Sequence, residues 1–406
     1  MTGAGPSSNL PLLSPEELQH EASVRAALDR ALARTGGWLS FEDYLHIVLY
    51  APGLGYYSAG SVKFGRAGDY VTAPELSALF GRALARQCAE LLALSGGIVL
   101  ELGAGTGALA ATLLPTLETL GRLPDRYEIL EVSGDLAARQ RDRLDTLPGR
   151  LRERVRWTSE LPASYRGICL ANEVIDALPF RRFAIGERGL LERGVAAAAD
   201  GTLTEADRPA GAELSAEVAR IAQSLAPASD ESGAASWGVP WPTGYTSEIC
   251  LLLPGWLRSL SEPLVQGALL LLDYGFARHE YYHWQRMQGT LRCHFRHRAH
   301  EDALLHPGLQ DITAWVDFTR VAEAGSESGL EVAGYCTQAA FLLANGIEQD
   351  VAAVDDLRQR SLLASQARQL LLPGEMGESV KVMALTRALP GASLRGFAYQ
   401  DLRRTL

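Results

Sequence analysis

One short segment constrains the fold of this chain more than any other. The apolar run Ile98-Val-Leu-Glu-Leu102 leads directly into the glycine turn Gly103-Ala-Gly-Thr-Gly107, and a helical pattern continues to residue 119. A buried strand that turns through glycines into a helix is the first unit of a doubly wound α/β sheet. Glycines let the backbone approach a ligand closely, and the start of a helix offers free N–H groups. The segment therefore predicts both a fold class and a ligand site.

Alternating strand and helix patterns continue after this unit, which is typical of a parallel sheet with crossover helices. Further strand candidates are Tyr127 to Val132, Val155 to Thr158, Gly167 to Ala171, Gly267 to Tyr274 and Val380 to Thr386. A helical pattern runs from Pro74 to Leu94, and the run from Ile312 to Phe318 is strand-like. We predict an N-terminal helical and lid region over residues 1–94, a catalytic domain over 95–387 and a tail over 388–406. Insertions are expected at about residues 181–260 and 276–378, which exceed a minimal α/β unit.

An acidic residue before the glycine turn indicates which ligand the turn binds. The pattern Gly103-x-Gly105-x-x-Ala108 matches the dinucleotide fingerprint, and Glu101-x-Gly103-x-Gly105-x-Gly107 matches the first motif of S-adenosylmethionine (SAM)-dependent methyltransferases. The Glu101 carboxylate would repel a pyrophosphate but suits the methionine end of SAM, which carries an ammonium and a sulfonium. SAM is therefore the favoured ligand, and a nicotinamide dinucleotide is the alternative.

A second acid, Glu131, ends the next strand candidate. A carboxylate there can accept hydrogen bonds from both ribose hydroxyls, which SAM and dinucleotides share. Its distance along the chain from Gly103 exceeds the spacing of about 20 residues typical of dinucleotide motifs. We predict a SAM site that includes Glu101, Gly103, Gly105, Gly107 and Glu131.

Polar residues also follow the fourth strand candidate. Asn172, Glu173 and Asp176 come after the run that ends at Ala171. Ligands of doubly wound sheets bind outside the carboxyl ends of the strands, so these side chains could hold and deprotonate an amine or guanidinium acceptor. We assign Asn172 to the cofactor side and Glu173 to the acceptor. The alternative is that Asn172 and Asp176 only cap the turn that follows.

Two further acids are candidates for acceptor binding. Asp273 ends the fifth strand candidate and would lie at the same rim as Glu173. Its alternative role is to cap the next loop. Glu248, in Thr246-Ser-Glu248, is the other candidate, and its alternative is an ordinary surface acid.

The glycine-rich segment from Gly68 to Gly81 is predicted to cover the cofactor as a lid. Thr72-Ala-Pro74 has the sequence of a capped helix start. Free N–H groups there, together with Thr72, could bind the methionine carboxylate of SAM. We therefore add Thr72 and Pro74 to the predicted cofactor site.

Composition excludes several classes of protein. Hydrophobic residues make up 47% and charged residues 21%, as in ordinary soluble proteins. The formal net charge of −10 argues against nucleic-acid binding and mildly favours a cationic partner. Five widely spaced cysteines predict neither disulfides nor zinc, and arginines interleave the histidines of residues 292–300, so no metal site is expected. Without a signal peptide or a long apolar run, we expect a cytoplasmic protein with no membrane insertion.

Several motifs, taken in order along the chain, resemble those of the MidA family, which includes the mitochondrial complex I assembly-factor methyltransferase. The motifs are GDYVTAPELSALFG at residues 68–81, Glu101 to Gly107, Asn172 to Pro179, Leu272 to Gly275, Pro307 to Phe318, and Gln338-x-x-Phe341-Leu. They span nearly the whole chain, from about residue 38 to 387. Val174-Ile175 departs from the aromatic pair expected after Asn-Glu.

The resemblance implies a class I SAM-dependent methyltransferase with a Rossmann-like sheet. It also implies methylation of a protein arginine on a partner such as a subunit of respiratory complex I. Two alternatives stay open at this point: a SAM-binding assembly chaperone with little catalysis, and a nicotinamide-dependent oxidoreductase.

Overall fold

The computed structural model describes residues 10–59, 72–225, 239–389 and 391–406. The strands in these ranges are β1 Trp38–Ser40, β2 Ile98–Leu102, β3 Tyr127–Leu130, β4 Val155–Thr158, β5 Tyr165–Asn172, β6 Arg181–Gly186, β7 Gly189–Ala197, β8 Leu203–Pro209, β9 Thr246–Ile249, β10 Leu264–Phe276, β11 Arg292–Phe295, β12 Arg298–His300, β13 Asp311–Thr313, β14 Val316–Asp317, β15 Glu331–Thr337 and β16 Val380–Arg387.

The α-helices in the same ranges are α1 Pro15–Arg34, α2 Phe41–Leu45, α3 Ala73–Leu76, α4 Ala78–Ser95, α5 Ala108–Thr119, α6 Gly134–Leu144, α7 Gly149–Arg152, α8 Ala212–Leu225, α9 Leu253–Ser261, α10 Arg278–Tyr281, α11 Phe318–Glu327, α12 Gln338–Ala344, α13 Ile347–Ala352 and α14 Leu357–Leu371. A π-helical turn, His46–Tyr50, follows α2, and 3-10 turns lie at Arg395–Phe397 and Arg403–Thr405. None of the described helices is long and apolar enough to cross a membrane.

The chain divides into two compact units, each built from separated stretches. The sheet unit comprises the described residues within Val71–Asp176, Leu253–Ala277 and Val316–Leu406. The insertion unit comprises those within Met1–Tyr70, Ala177–Leu252 and Arg278–Trp315. The division into a helical and lid region over 1–94, a catalytic domain over 95–387 and a tail over 388–406 stays a prediction.

The sheet unit has the doubly wound topology that the sequence pattern predicts. Its strand order is β15-β16-β10-β5-β2-β3-β4, and β14 pairs with β10. Strands β4, β3, β2, β5 and β10 run parallel, whereas β16 lies antiparallel between β10 and β15. The chain winds outward from β2 through β3 in one direction and from β5 through β10 in the other. The loops after β2 and β5 therefore flank the switch point where such sheets bind ligands.

Burial explains why the central strands of this sheet, β2, β5 and β10, are mainly apolar. All five residues of β2 are buried, and Val99, Ile168 and Leu270 belong to one core with side chains of α4 and α5. Parallel strands that are covered on both faces need apolar residues on both faces. The apolar runs recognised in the sequence are this buried layer.

The insertion unit is mainly antiparallel. One sheet has the order β1-β7-β6-β9 with β8 paired to β7, and a second has the order β12-β11-β13. The helix α1 starts with a capping box, in which the Ser14 hydroxyl accepts from the Glu17 N–H and the Glu17 carboxylate accepts from the Ser14 N–H. Its buried face, with Val24 and Leu28, packs in a core that includes Phe41 and Phe180.

Two predicted elements are each divided in the structure. The helical pattern from Pro74 to Leu94 is interrupted at Ser77, whose extended backbone caps α4 through a bond from the Leu79 N–H to its hydroxyl. The strand-like run from Ile312 to Phe318 divides into β13 and β14, and Phe318 already begins α11. Asp317 is the N-cap of that helix, and a local hydrogen bond of this kind overrides a strand-like pattern.

Candidate functional site

The glycine turn after β2 is left-handed at each of its three glycines. The φ angles of Gly103, Gly105 and Gly107 are 62°, 53° and 83°, a region that side chains disfavour. A Cβ on Gly103 would lie 2.8 Å from Cγ2 of Val174, so close packing excludes a side chain there. A Cβ on Gly105 would meet no described atom within 4 Å. Gly105 thus presents bare backbone to open space, as a ligand-binding turn requires.

Glu101 precedes this turn but makes an internal contact. Its Oε2 accepts a 2.8 Å hydrogen bond from the Tyr127 hydroxyl, and the residue is 3% exposed. Burial raises the pKa of Glu101 to about 7, although the Tyr127 bond opposes the shift. Its role toward the methionine end of SAM stays a prediction.

Glu131 is held at the end of β3 by two hydrogen bonds. Its Oε1 accepts from the Ser133 N–H at 2.8 Å, and its Oε2 accepts from Nε2 of Gln140 at 2.9 Å. The same Nε2 donates to the Gly105 carbonyl at 2.9 Å. Sequence reasoning missed Gln140. The signal was a glutamine at a core position of α6, whose buried residues are Ala137, Gln140 and Leu144.

The described part of the predicted lid, residues 72–81, contacts the glycine turn through Glu75. The Glu75 carboxylate accepts from Arg143 at 2.7 and 3.1 Å and from the Thr106 hydroxyl. Thr72 occupies the N-cap position of α3, and Pro74 lies in its first turn. Residues 68–71 of the predicted lid lie outside the described residues. Sequence reasoning missed Glu75 and Arg143, because no local pattern relates two side chains so far apart along the chain.

The end of β5 and the turn that follows it place Asn172 and Glu173 beside α3. Oε1 of Glu173 accepts from Nδ2 of Asn172 at 3.2 Å and from the Ala73 N–H at 3.4 Å. Glu173 has a φ of 53°, a conformation that non-glycine residues seldom adopt. Its N–H donates to the Leu272 carbonyl at 2.8 Å, which holds this backbone against β10. The three predicted segments, at Thr72, Gly103 and Asn172, are therefore neighbours in the sheet unit.

Asp273 holds the turn after β5 from the neighbouring strand. Its Oδ2 accepts from the N–H groups of Val174, Ile175 and Asp176 at 3.1, 2.8 and 3.3 Å, and its Oδ1 accepts from the Tyr274 N–H at 2.8 Å. Burial of this residue, which is 1% exposed, raises its pKa to about 7 against these four bonds. Asp273 lies within β10 rather than at its end, and three of its bonds hold the turn after β5 rather than the loop that follows Asp273, as the capping alternative expected. Direct binding of the acceptor by Asp273 stays a prediction.

Glu248 belongs to the insertion unit and is 1% exposed, so the surface-acid alternative was wrong. Its Oε2 accepts from the Thr290 N–H at 2.8 Å and from the Thr290 hydroxyl at 3.1 Å. The Arg182 Nε lies 3.9 Å from its Oε1. Burial raises the pKa of Glu248, and the Arg182 charge opposes that effect. Glu173 and Asp273, by contrast, share the sheet unit.

The sequence of the chain is similar to that of a known protein family. Residues 83–336 match the model of the Methyltransf_28 family, described as S-adenosyl-L-methionine-dependent methyltransferases. The chain belongs to this family. The enzyme class is therefore SAM-dependent methyltransferase, which replaces the oxidoreductase alternative.

A solved structure with close similarity supports the cofactor. This methyltransferase is 43% identical to a protein from Burkholderia thailandensis that was crystallised with S-adenosylhomocysteine, with a TM-score of 0.91. The match covers 98% of this chain and 100% of the other. It confirms the class I fold and SAM as the cofactor.

Curated relatives confirm the resemblance to the MidA family. The chain is 28% identical over 375 residues to protein arginine methyltransferase NDUFAF7, mitochondrial, of Danio rerio, a match that covers 84% of this chain and 82% of the relative. The Homo sapiens protein of the same name is 26% identical over 401 residues, covering 90% and 83%. These names contradict the expected cytoplasmic location, because both relatives are mitochondrial proteins. That expectation was wrong, since it rested only on features missing from the sequence.

Proposed function

We propose that this methyltransferase transfers a methyl group to an arginine of a partner protein. One observation carries the proposal, which is that Glu173 lies beside the glycine turn. The next residue, Val174, packs on Gly103 of that turn, and the Glu173 carboxylate accepts from the Ala73 N–H of α3. A carboxylate at that place suits a cationic acceptor. The names of the curated relatives, protein arginine methyltransferases, support the same acceptor.

The cofactor side is assigned to the glycine turn and its neighbours. Bound SAM supplies an activated methyl group on a sulfonium. The open space at Gly105 leaves room for a ligand against bare backbone, and Glu131 retains acceptor positions for ribose hydroxyls. The other residues assigned to this side are Glu101, Gly103, Gly107, Thr72, Pro74 and Asn172.

The acceptor side is assigned to Glu173. An arginine guanidinium is always protonated in water, so a nearby carboxylate must localise its charge and receive a proton as the new N–C bond forms. The bonds from Asn172 and Ala73 keep the Glu173 carboxylate in place. Asp273 fixes the turn that carries it, and Glu248 is kept as a further candidate for the acceptor.

The partner is proposed to be a subunit of respiratory complex I (NADH:quinone oxidoreductase). The MidA resemblance implies it, and the net charge of −10 suits a cationic segment of such a subunit. The proposal would be contradicted if the protein mainly assisted the assembly of a complex and catalysed little methyl transfer.

The test is single-turnover methylation of purified complex I subunits with labelled SAM, comparing wild type with Glu173→Gln. Losing a charge-assisted bond worth about 1.5–3 kcal/mol should lower the rate at least about tenfold. SAM affinity should stay near wild type. Glu118→Gln is the matched control, because Glu118, on α5, makes an exposed ion pair with Arg150 of α7.

Two results would count against the role of Glu173, and a third against the arginine acceptor. Unchanged turnover in Glu173→Gln would move the acid role to Asp273 or Glu248. Lost SAM affinity would place Glu173 in the cofactor pocket. Absence of methylarginine in every subunit, by mass spectrometry after reaction with wild type, would contradict the arginine acceptor.

A further inference from the structure

One buried amide joins the two parts of the proposed cofactor site. Gln140 is 0% exposed, and each of its polar atoms is bonded. Its Nε2 donates to the Gly105 carbonyl and to Oε2 of Glu131, both at 2.9 Å. Its Oε1 accepts from the indole Nε1–H of Trp157, also at 2.9 Å. A single side chain thus contacts the turn after β2, the acid after β3 and the strand β4.

These partners define the orientation of the amide. Nε2 faces two acceptors, and Oε1 faces an indole that can only donate. Rotating the amide by half a turn would place its carbonyl against two oxygens and its NH₂ against the Trp157 N–H. Only one orientation therefore satisfies all three partners, and that orientation couples Gly105 to Glu131.

We propose that Gln140 is a positioning residue for SAM, which sets the Glu131 carboxylate and the Gly105 peptide at a defined separation. The proposal rests on the assignment of Gly105 and Glu131 to SAM. The Ser133 N–H donates to Oε1 of Glu131, and Gln140 donates to Oε2, so one acceptor position of each oxygen is occupied. The positions that remain on those oxygens are then directed by the protein toward the ribose hydroxyls.

The position demands an amide rather than an apolar side chain. Ala137 and Leu144 complete the buried face of α6 around Gln140. A leucine at 140 would suit this packing but would leave the Gly105 carbonyl, the Glu131 carboxylate and the Trp157 N–H without this partner. A glutamate has the same shape, but when ionised it places a second negative charge beside Glu131.

The experiment is a SAM titration of full-length Gln140→Glu and wild type by calorimetry between pH 6 and pH 8.5. The introduced carboxyl has a raised pKa, because it is buried and lies beside Glu131. When protonated it carries one O–H, which can donate to Glu131 but leaves the Gly105 carbonyl without this partner, and its other oxygen can again accept from Trp157. We expect the ratio of the variant Kd to the wild-type Kd to be at least about tenfold at pH 8.5 and to fall severalfold by pH 6.

Gln87→Glu is the matched control. Gln87 is a buried glutamine of the same unit whose Nε2 donates to Glu90 at 2.9 Å and whose Oε1 accepts from the Gly396 N–H at 2.8 Å. The substitution adds the same charge beside a glutamate away from the proposed site. Its Kd ratio should stay near one at every pH, even where its melting temperature falls.

The outcomes separate this proposal from the site assignment. If Gly105→Val and Glu131→Gln leave SAM affinity unchanged, the site assignment fails. If they weaken binding while Gln140→Glu keeps a ratio near one across the pH range, only the role of Gln140 is overturned. Trp157→Phe, which removes the donor to Oε1, decides the matter if Gln140→Glu does not fold. A severalfold loss of SAM affinity supports the proposal, and an unchanged Kd overturns it.

Discussion

The turns after β2 and β5 follow adjacent parallel strands, and both contain left-handed backbone conformations. They reach those conformations with different kinds of residue. The first reaches left-handed conformations with Gly103, Gly105 and Gly107. The second places Glu173 at a φ of 53°, and Asp273 holds the following residues through three N–H bonds. A turn that a ligand approaches through backbone needs glycine at the positions of approach. A turn that presents a carboxylate must keep one, and the cost of that conformation is offset by a buried cap.

The comparison predicts that damage to the first turn abolishes cofactor binding, and this is the largest expected effect. Gly105→Val places a branched side chain in a left-handed conformation and in the space left open beside the backbone. We expect SAM affinity to fall at least about 100-fold by calorimetry, which corresponds to about 2.7 kcal/mol.

Gly121→Val is the matched control for that substitution. Gly121 has a φ of 65° just after α5, and a Cβ there also meets no described atom within 4 Å. Both variants carry similar backbone strain, so both should lose similar thermal stability. Equal loss of SAM affinity in the two would refute the special role of the first turn.

Damage to the cap of the second turn should give the converse result. In Asp273→Asn only one side-chain oxygen remains, so at least one of the N–H groups of residues 174–176 and 274 loses its acceptor. An unsatisfied buried donor costs about 1–3 kcal/mol. We expect methylation of the acceptor to fall about 30-fold in single-turnover assays, whereas SAM affinity changes less than fivefold. A folded variant with full methylation would show that the cap serves stability alone.

The buried acid before the first turn should make stability depend on pH. Burial raises the pKa of Glu101 to about 7 from 4.5, so the folded state binds this proton more tightly than the unfolded state. The stabilisation from the bound proton of Glu101 is fully present below pH 4.5, the pKa of this carboxyl in the unfolded state, and it is lost as the pH rises through 7. Between pH 6 and 8 the free energy of unfolding should fall by about 1.4 kcal/mol more in wild type than in Glu101→Gln. Denaturant titrations at both pH values measure this difference, and parallel curves would contradict it.

The smallest expected effect concerns α3, which contacts both turns. Glu75 accepts from Thr106 of the first turn and from Arg143 of α6. The Ala73 N–H donates to Glu173 of the second turn. Glu75→Gln should therefore weaken SAM binding and acceptor methylation together, each by about threefold, because a partly buried ion pair is worth about 1 kcal/mol or less. A change confined to one of the two measurements would show that α3 serves only one turn.

Sequence reasoning succeeded where the signal was local. The run Ile98–Leu102 predicts β2 because continuous burial requires continuous apolar residues, and the glycines after it predict a left-handed turn. It failed at Ser77, where a single capping hydroxyl interrupts an otherwise helical pattern. Gln140 was also missed, since a glutamine at a core position of a helix indicates a buried polar group but not its partner, and its Gly105 partner lies 35 residues away.

The sequence by itself determined the doubly wound sheet, the glycine turn and the place of Glu173 at a strand end. These follow from the period of apolar residues and from backbone conformations that only certain residues adopt. The tertiary structure alone decided which buried polar groups satisfy one another: Asp273 with the N–H groups of 174–176, Gln140 with Glu131, and Glu248 with Thr290. The reason is physical. Burial obliges each polar group to find a partner, but the partner is whichever group the folded sheet brings within hydrogen-bond distance, and no local pattern records that.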